Sequence, residues 1–215
     1  MRLFLASYRF GAHRYRLLDL VGTPGRIGVI AAAADAWPAT ARESAVTSEF
    51  AILTAAGFDP VEVDLRSVTP ATADAALRTL PAVWVRGGNT FVLRHRLAAS
   101  GVDRVLRERL RRDDLVYAGY SAGACVMGPS LTGVDAADPP AELAEITDDP
   151  VPRDGLGLID DVLVPHWPTA TAPSELDPDG AVRAMAAACR AAGVPYRTLT
   201  DDQVFVRTDA DDRVY

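Results

Sequence analysis

Short β-type runs alternate with helical stretches along most of this chain, and that alternation constrains the fold more than any other feature. The runs lie at residues 3–7, 26–33, 61–65, 82–85, 115–119 and 162–165. Between them sit amphipathic stretches such as 41-ARESAVTSEFAILTAAG-57 and 181-AVRAMAAACRAAG-193. Both have apolar residues at helical spacing and end on glycine, which tolerates the left-handed backbone that closes a helix. A strand that returns parallel to its predecessor needs a crossover of about a dozen residues or more, usually a helix. Repeated strand–helix–strand units therefore predict an α/β fold with a mostly parallel sheet covered on both faces. Residues 196–209 hold two further β-type runs around Asp201-Asp202 and predict a C-terminal β-hairpin. The 215 residues suit a single domain over 1–215.

Two segments break the alternation. Residues 132–157 are rich in Asp, Pro, Ala and Glu, and 168-PTATAPSELDPDG-180 follows the run at 162–165. Loops of this length inside a compact domain are usually functional or disordered. Both leave the carboxyl ends of strands, where open α/β sheets place their sites.

Charge excludes one class of partner. The formal net charge is −7, whereas phosphate binding needs a clustered positive surface, so nucleic acid is not expected. The densest basic stretch, 104-RVLRERLRR-112, reads as a solvated helix face. The N-terminal apolar run at residues 3–6 is too short for a signal-peptide core or a membrane span, and no later segment approaches one. A cytoplasmic protein with no membrane partner is expected. The two cysteines, Cys125 and Cys189, form no CxxC pair, which argues against a disulfide framework or a zinc site. The sequence calls for neither cofactor nor metal.

The stretch 115-LVYAGYSAGACVMGPSL-131 carries the chemistry. Its apolar run breaks at Gly119-Tyr120-Ser121-Ala122-Gly123 and resumes with small residues. A G-x-S-x-G between strand and helix is the nucleophile elbow: the glycines allow a sharp turn, the serine hydroxyl stands clear, and the next N–H, here of Ala122, points toward a developing oxyanion. A serine nucleophile needs a base, normally histidine. His13 lies among arginines with nothing local to hold it, and His95 lies on a helix and is expected to face solvent. His166 follows the apolar run at 162–165, at the carboxyl end of another parallel strand and on the same edge as Ser121. The stretch 82-AVWVRGGNTF-91 ends a strand in Gly87-Gly88 before a polar helix start, and suits a second anion-facing loop. It lacks the Lys-Ser/Thr and GxGxxG patterns of nucleotide sites.

Taken together, Val85-Arg86-Gly87-Gly88-Asn89-Thr90-Phe91, Gly119-Tyr120-Ser121-Ala122-Gly123-Ala124 and Val164-Pro165-His166-Trp167 resemble the peptidase E (aspartyl dipeptidase) family of serine peptidases. The resemblance spans nearly the whole chain. It implies a three-layer sandwich like that of flavodoxin and the class I glutamine amidotransferases, with Ser121 as nucleophile, His166 as base, and Gly88 and Ala122 as oxyanion donors. The family's acidic third member falls in the loop after the nucleophile helix, where Asp135 and Asp138 are the candidates and Asp138 is preferred. Asn89, Trp167 and Arg86 are the candidate substrate-binding residues, and a short peptide is the implied partner, with a homodimer left open. The chain lacks the Gly-His and Glu-Thr-Arg run that follows the histidine in well-studied members, so Arg86 or Arg183 is left to receive an acidic side chain. An α/β-hydrolase esterase and a non-hydrolytic binding protein of the same fold are the alternatives. Cys125, one helical turn beyond Ser121, reads as a small buried residue rather than a nucleophile.

Overall fold

The computed structural model describes all residues except 170–173 and 178. The alternation holds from the first strand: β1 (Arg2–Ala6), α1 (Arg14–Val21), β2 (Arg26–Ile30), α2 (Ala39–Ala55), β3 (Asp59–Glu62), α3 (Ala73–Leu77) and β4 (Ala82–Val85). There follow α4 (Thr90–Ser100), α5 (Val102–Arg111), β5 (Val116–Tyr120) and α6 (Ala122–Cys125). The C-terminal part contributes β6 (Val162–Val164), α7 (Ala181–Ala192), β7 (Tyr196–Thr198), β8 (Val204–Arg207) and β9 (Asp212–Val214).

The main sheet has seven strands in the order β3-β2-β4-β5-β1-β8-β9. The first five run parallel, and β8 and β9 are antiparallel additions beside β1. The central strands are buried on both faces, as their unbroken apolar runs require. One face is covered by α1 and α2 around Leu17, Leu53 and Trp84. The other is covered by α3, α4 and α5, whose Leu77, Leu93 and Leu106 pack on Leu3, Val83 and Tyr117. This is the α/β fold with a mostly parallel sheet that the alternation predicts.

The C-terminal region departs from expectation in two ways. The strand before His166, β6, is parallel as expected, but it pairs with β7 in a separate two-stranded sheet. The C-terminal hairpin exists one strand later than the sequence suggests, between β8 and β9. The runs around Asp201-Asp202 do not face each other, because β7 pairs with β6 whereas β8 pairs with β1. Asp201-Asp202 therefore crosses between sheets instead of capping a hairpin. Among the described residues no helix is long and apolar enough to cross a membrane.

Candidate active site

Four loops leave the carboxyl ends of β1, β2, β4 and β5 and converge on one cleft of about 530 Å³. Ser121 stands directly after β5 with φ 50° and ψ −117°, a conformation that L-residues avoid. Its neighbours explain how the turn is held. A Cβ on Gly123 would lie 2.2 Å from the Val85 carbonyl oxygen, and one on Gly119 would lie 2.7 Å from that of Gly123. Gly123 is thus required by close packing against β4, and Gly119 by close packing against Gly123. The Ser121 N–H donates to the carbonyls of Ala6 and Ser7 at 3.2 and 3.1 Å, tying the nucleophile to the end of β1.

His166 meets it. The imidazole Nε2 lies 3.0 Å from Ser121 Oγ, and Nδ1 lies 2.7 Å from Asp201 Oδ1. With Nδ1 protonated toward the carboxylate, Nε2 is the free acceptor for the serine proton. His166 also has a positive φ, of 58°. Its N–H donates to Ser7 Oγ at 2.7 Å, and Ser7 Oγ donates in turn to Asp201 Oδ1 at 3.1 Å. Ser174 Oγ donates to Asp201 Oδ2 at 2.5 Å. The base and its carboxylate are brought together by backbone pairing: Leu199 N–H donates to Val164 O, and Trp167 N–H donates to Leu199 O, each at 2.9 Å. These bonds extend the β6–β7 ladder until residues 166 and 201 sit side by side.

The carboxylate on His166 is therefore Asp201, and the preference for Asp138 is corrected. Asp138 Oδ2 instead accepts from Thr90 N–H at 2.8 Å and Thr90 Oγ1 at 2.5 Å, at the start of α4. The protein packed around Asp138 pushes its carboxyl above the ordinary range, and the Thr90 hydrogen bonds oppose that rise. Asp135 is exposed. A signal for Asp201 was present in the string 198-TLTDDQVFV-206, but a hairpin reading places it at a tip far from the histidine.

The other expected residues divide. Gly87 lies against the nucleophile, since a Cβ there would be 2.8 Å from Ser121 Cβ, and Gly88 and Arg86 line the same cleft. Asn89 is a correction: its Oδ1 accepts from Phe91 and Val92 N–H at 3.0 and 3.1 Å, and its Nδ2 donates to Pro139 O at 2.8 Å. It is the buried N-cap of α4, with its side chain engaged on backbone, and it does not line the cleft. Trp167 lines an adjoining cleft of about 380 Å³ instead, with the exposed Arg183 stacked 5.4 Å from its ring. His95 is mostly buried rather than solvent-facing, paired with Asp149 at 3.6 Å, and burial lowers its pKa. His13 sits beside the Tyr15 and Tyr215 rings. Cys125 is buried with its thiol 3.4 Å from the Leu163 carbonyl, and burial pushes its pKa up, which suits an inert residue. Among the described residues no group of three or more His, Cys, Asp or Glu side chains is placed to hold a metal.

Comparison with known proteins gives this geometry a family. An uncharacterized peptidase from Listeria innocua is 32% identical over 111 residues, 52% of this chain and 51% of that protein. A cyanophycinase from Nostoc sp. is 30% identical over 148 residues, 65% of this chain and 48% of that protein. The chain thus spans about half the length of these curated relatives. Among solved structures, a candidate peptidase E protein from Listeria monocytogenes EGD-e superposes with a TM-score of 0.77 at 19% identity, covering 100% of this chain and 97% of that one. A peptidase from an acI-B1 actinobacterium gives 0.67 at 15% identity, covering 100% and 86%. At such identities the two structures speak for the fold. The sequence model of peptidase family S51 matches residues 33–196, well over half of the chain, and on that match the chain belongs to peptidase family S51.

Proposed function

We propose that this protein is a serine peptidase that hydrolyses short peptides, of dipeptidase type, with Asp-X peptides among the substrates to try first. The observation that carries the reading is the continuous relay Ser121 Oγ–His166 Nε2, His166 Nδ1–Asp201, with spacings of 3.0 and 2.7 Å. His166 takes the Ser121 proton as Oγ attacks the peptide carbonyl carbon, and Asp201 stabilises the imidazolium that forms. The oxyanion settles between the N–H groups of Gly88 and Ala122. When the C–N bond breaks, the departing amine takes the proton from Nε2 and leaves an ester on Ser121. Water then attacks the ester, giving its proton to His166, which returns it to Ser121 Oγ as the acid departs.

The cleft of about 530 Å³ is of the size that holds a small ligand rather than a folded chain. The names of the curated relatives, peptidases and cyanophycinase, support a peptide-like substrate. Replacing Ser121 with Ala should lower kcat by roughly 10⁴-fold or more. A fluorophosphonate probe should label the wild type at Ser121 and not the variant. Hydrolysis that survived Ser121→Ala would remove the serine from the mechanism and with it this reading.

A further inference from the structure

Ser174 is out of keeping with its segment. Glu175 and Leu176 beside it are exposed, whereas Ser174 is only 8% exposed. Serine is mostly a surface residue, and a buried hydroxyl needs a partner. Here the partner is the relay. Ser174 Oγ donates to Asp201 Oδ2 at 2.5 Å, while the other carboxylate oxygen, Oδ1, faces His166 Nδ1. The same Oγ accepts from the Leu176 N–H at 3.1 Å. Asp177 is the second buried polar residue of the segment. Its N–H donates to Ser174 O at 3.2 Å, and both its carboxylate oxygens accept from the Val182 N–H in the first turn of α7, at 3.4 Å.

The turn at 174–177 is thus pinned at one end to the relay and at the other to a helix. Leu176 and Asp177 line the catalytic cleft together with Ser121 and His166. Asp201 has need of a further partner. Its side chain is 31% exposed, and it lines two neighbouring clefts of about 430 and 380 Å³, the second shared with Ser174. Oδ1 is held by His166 Nδ1 and the buried Ser7 Oγ. With Ser174 gone, Oδ2 would be met by water. The last torsion of an aspartate is broad, so the carboxylate could then turn and carry Oδ1 away from Nδ1. A hydroxyl fixed in place needs no reorientation as charge develops on the imidazole, whereas water does.

We propose that Ser174 is a positioning residue of the relay: its hydroxyl sets the Asp201 carboxylate against His166 and joins the 174–177 wall of the cleft to the base. It acts through Asp201 and touches neither the nucleophile nor a substrate. Its part in turnover rests on the peptidase reading and deepens it; its hold on Asp201 does not depend on that reading.

The second-order rate at which a fluorophosphonate labels Ser121 reads the relay without a known substrate. Ser174→Ala should slow it at least about fivefold, and Ser174→Thr, which keeps the hydroxyl, should bring it back to within about twofold of the wild type. In an Asp201→Asn background, Ser174→Ala should slow labelling by less than about twofold more, because the serine acts through that carboxylate. A serine that only anchored its own segment would lower Tm, and its loss would add in full to that of Asp201→Asn. Proton NMR gives a second reading that needs no reaction. The proton that His166 Nδ1 shares with Asp201 should exchange with water at least about fivefold faster in Ser174→Ala, and at the wild-type rate in Ser174→Thr. Labelling unchanged in Ser174→Ala, or losses that add across the two sites, overturns the proposal. Failure of the wild type to label would instead sink the peptidase reading, and proton exchange would still decide Ser174: an unchanged rate removes it from the relay.

Discussion

Two aspartates, each in a loop beyond the elbow, show how differently the same side chain is employed in this molecule. Asp138 lies in the segment after α6 and accepts two hydrogen bonds from Thr90, so it fastens that segment to the start of α4. Asp201 lies where the chain crosses from β7 to β8 and accepts from His166, Ser7 and Ser174. The first closes a helix end next to the cleft; the second orients the imidazole that faces Ser121. The difference teaches that proximity in sequence to a nucleophile says little about which carboxylate serves it, since the partner is set by strand pairing.

Replacing each aspartate in turn tests that division. Asp201→Asn should lower kcat by about 10⁴-fold with little change in KM, since a neutral amide does not stabilise the imidazolium and its NH2 group can donate to Nδ1 and so hold the wrong tautomer. Asp138→Asn should lower kcat by less than about tenfold, because the amide oxygen can still accept from Thr90. Reversed magnitudes in steady-state kinetics would exchange the two roles. Next in size is Ser7→Ala, which leaves the His166 N–H without its acceptor and removes one donor from Asp201. A loss of roughly 1–3 kcal/mol of transition-state stabilisation is expected, read as about a five- to 150-fold fall in kcat/KM. Thr90→Val should cost about 1 kcal/mol in stability, measured by urea unfolding, and should leave the pH dependence of turnover where it was.

The smallest effect is one of pH. The Asp138 carboxyl is raised above its ordinary 3.8 by burial, so the folded protein holds that proton more tightly than the unfolded chain. Its contribution to stability is complete below the unfolded value and is lost as pH rises through the raised native one. Asp138→Asn should flatten the stability profile across that window in urea melts at a series of pH values. A profile identical to the wild type would remove Asp138 as its source.

Much of this arrangement could be read from the sequence because it depends on local strings. The elbow needs only Gly119, Ser121 and Gly123 after an apolar run, and the base needs only a histidine at the end of another. Asp201 could not be found in that way. Its place beside His166 requires β7 to pair with β6, and β8 to pair with β1 nearly two hundred residues away in the chain. Asn89 carried a legible signal that pointed elsewhere: an asparagine directly before a helical run is first of all an N-cap. Ser174 was hidden by its setting, because a serine in a polar loop is ordinarily solvated and only the crossing from β7 to β8 supplies Asp201 as its partner.

The two reacting residues sit on left-handed backbone that glycine would adopt freely. A chain relieved of that conformational burden should be the sturdier one. Ser121→Gly, though dead as an enzyme, should unfold at a higher temperature than the wild type, by an amount equivalent to roughly 1 kcal/mol. The fold, on this view, tolerates a permanent weakness at its centre because reactivity is located there.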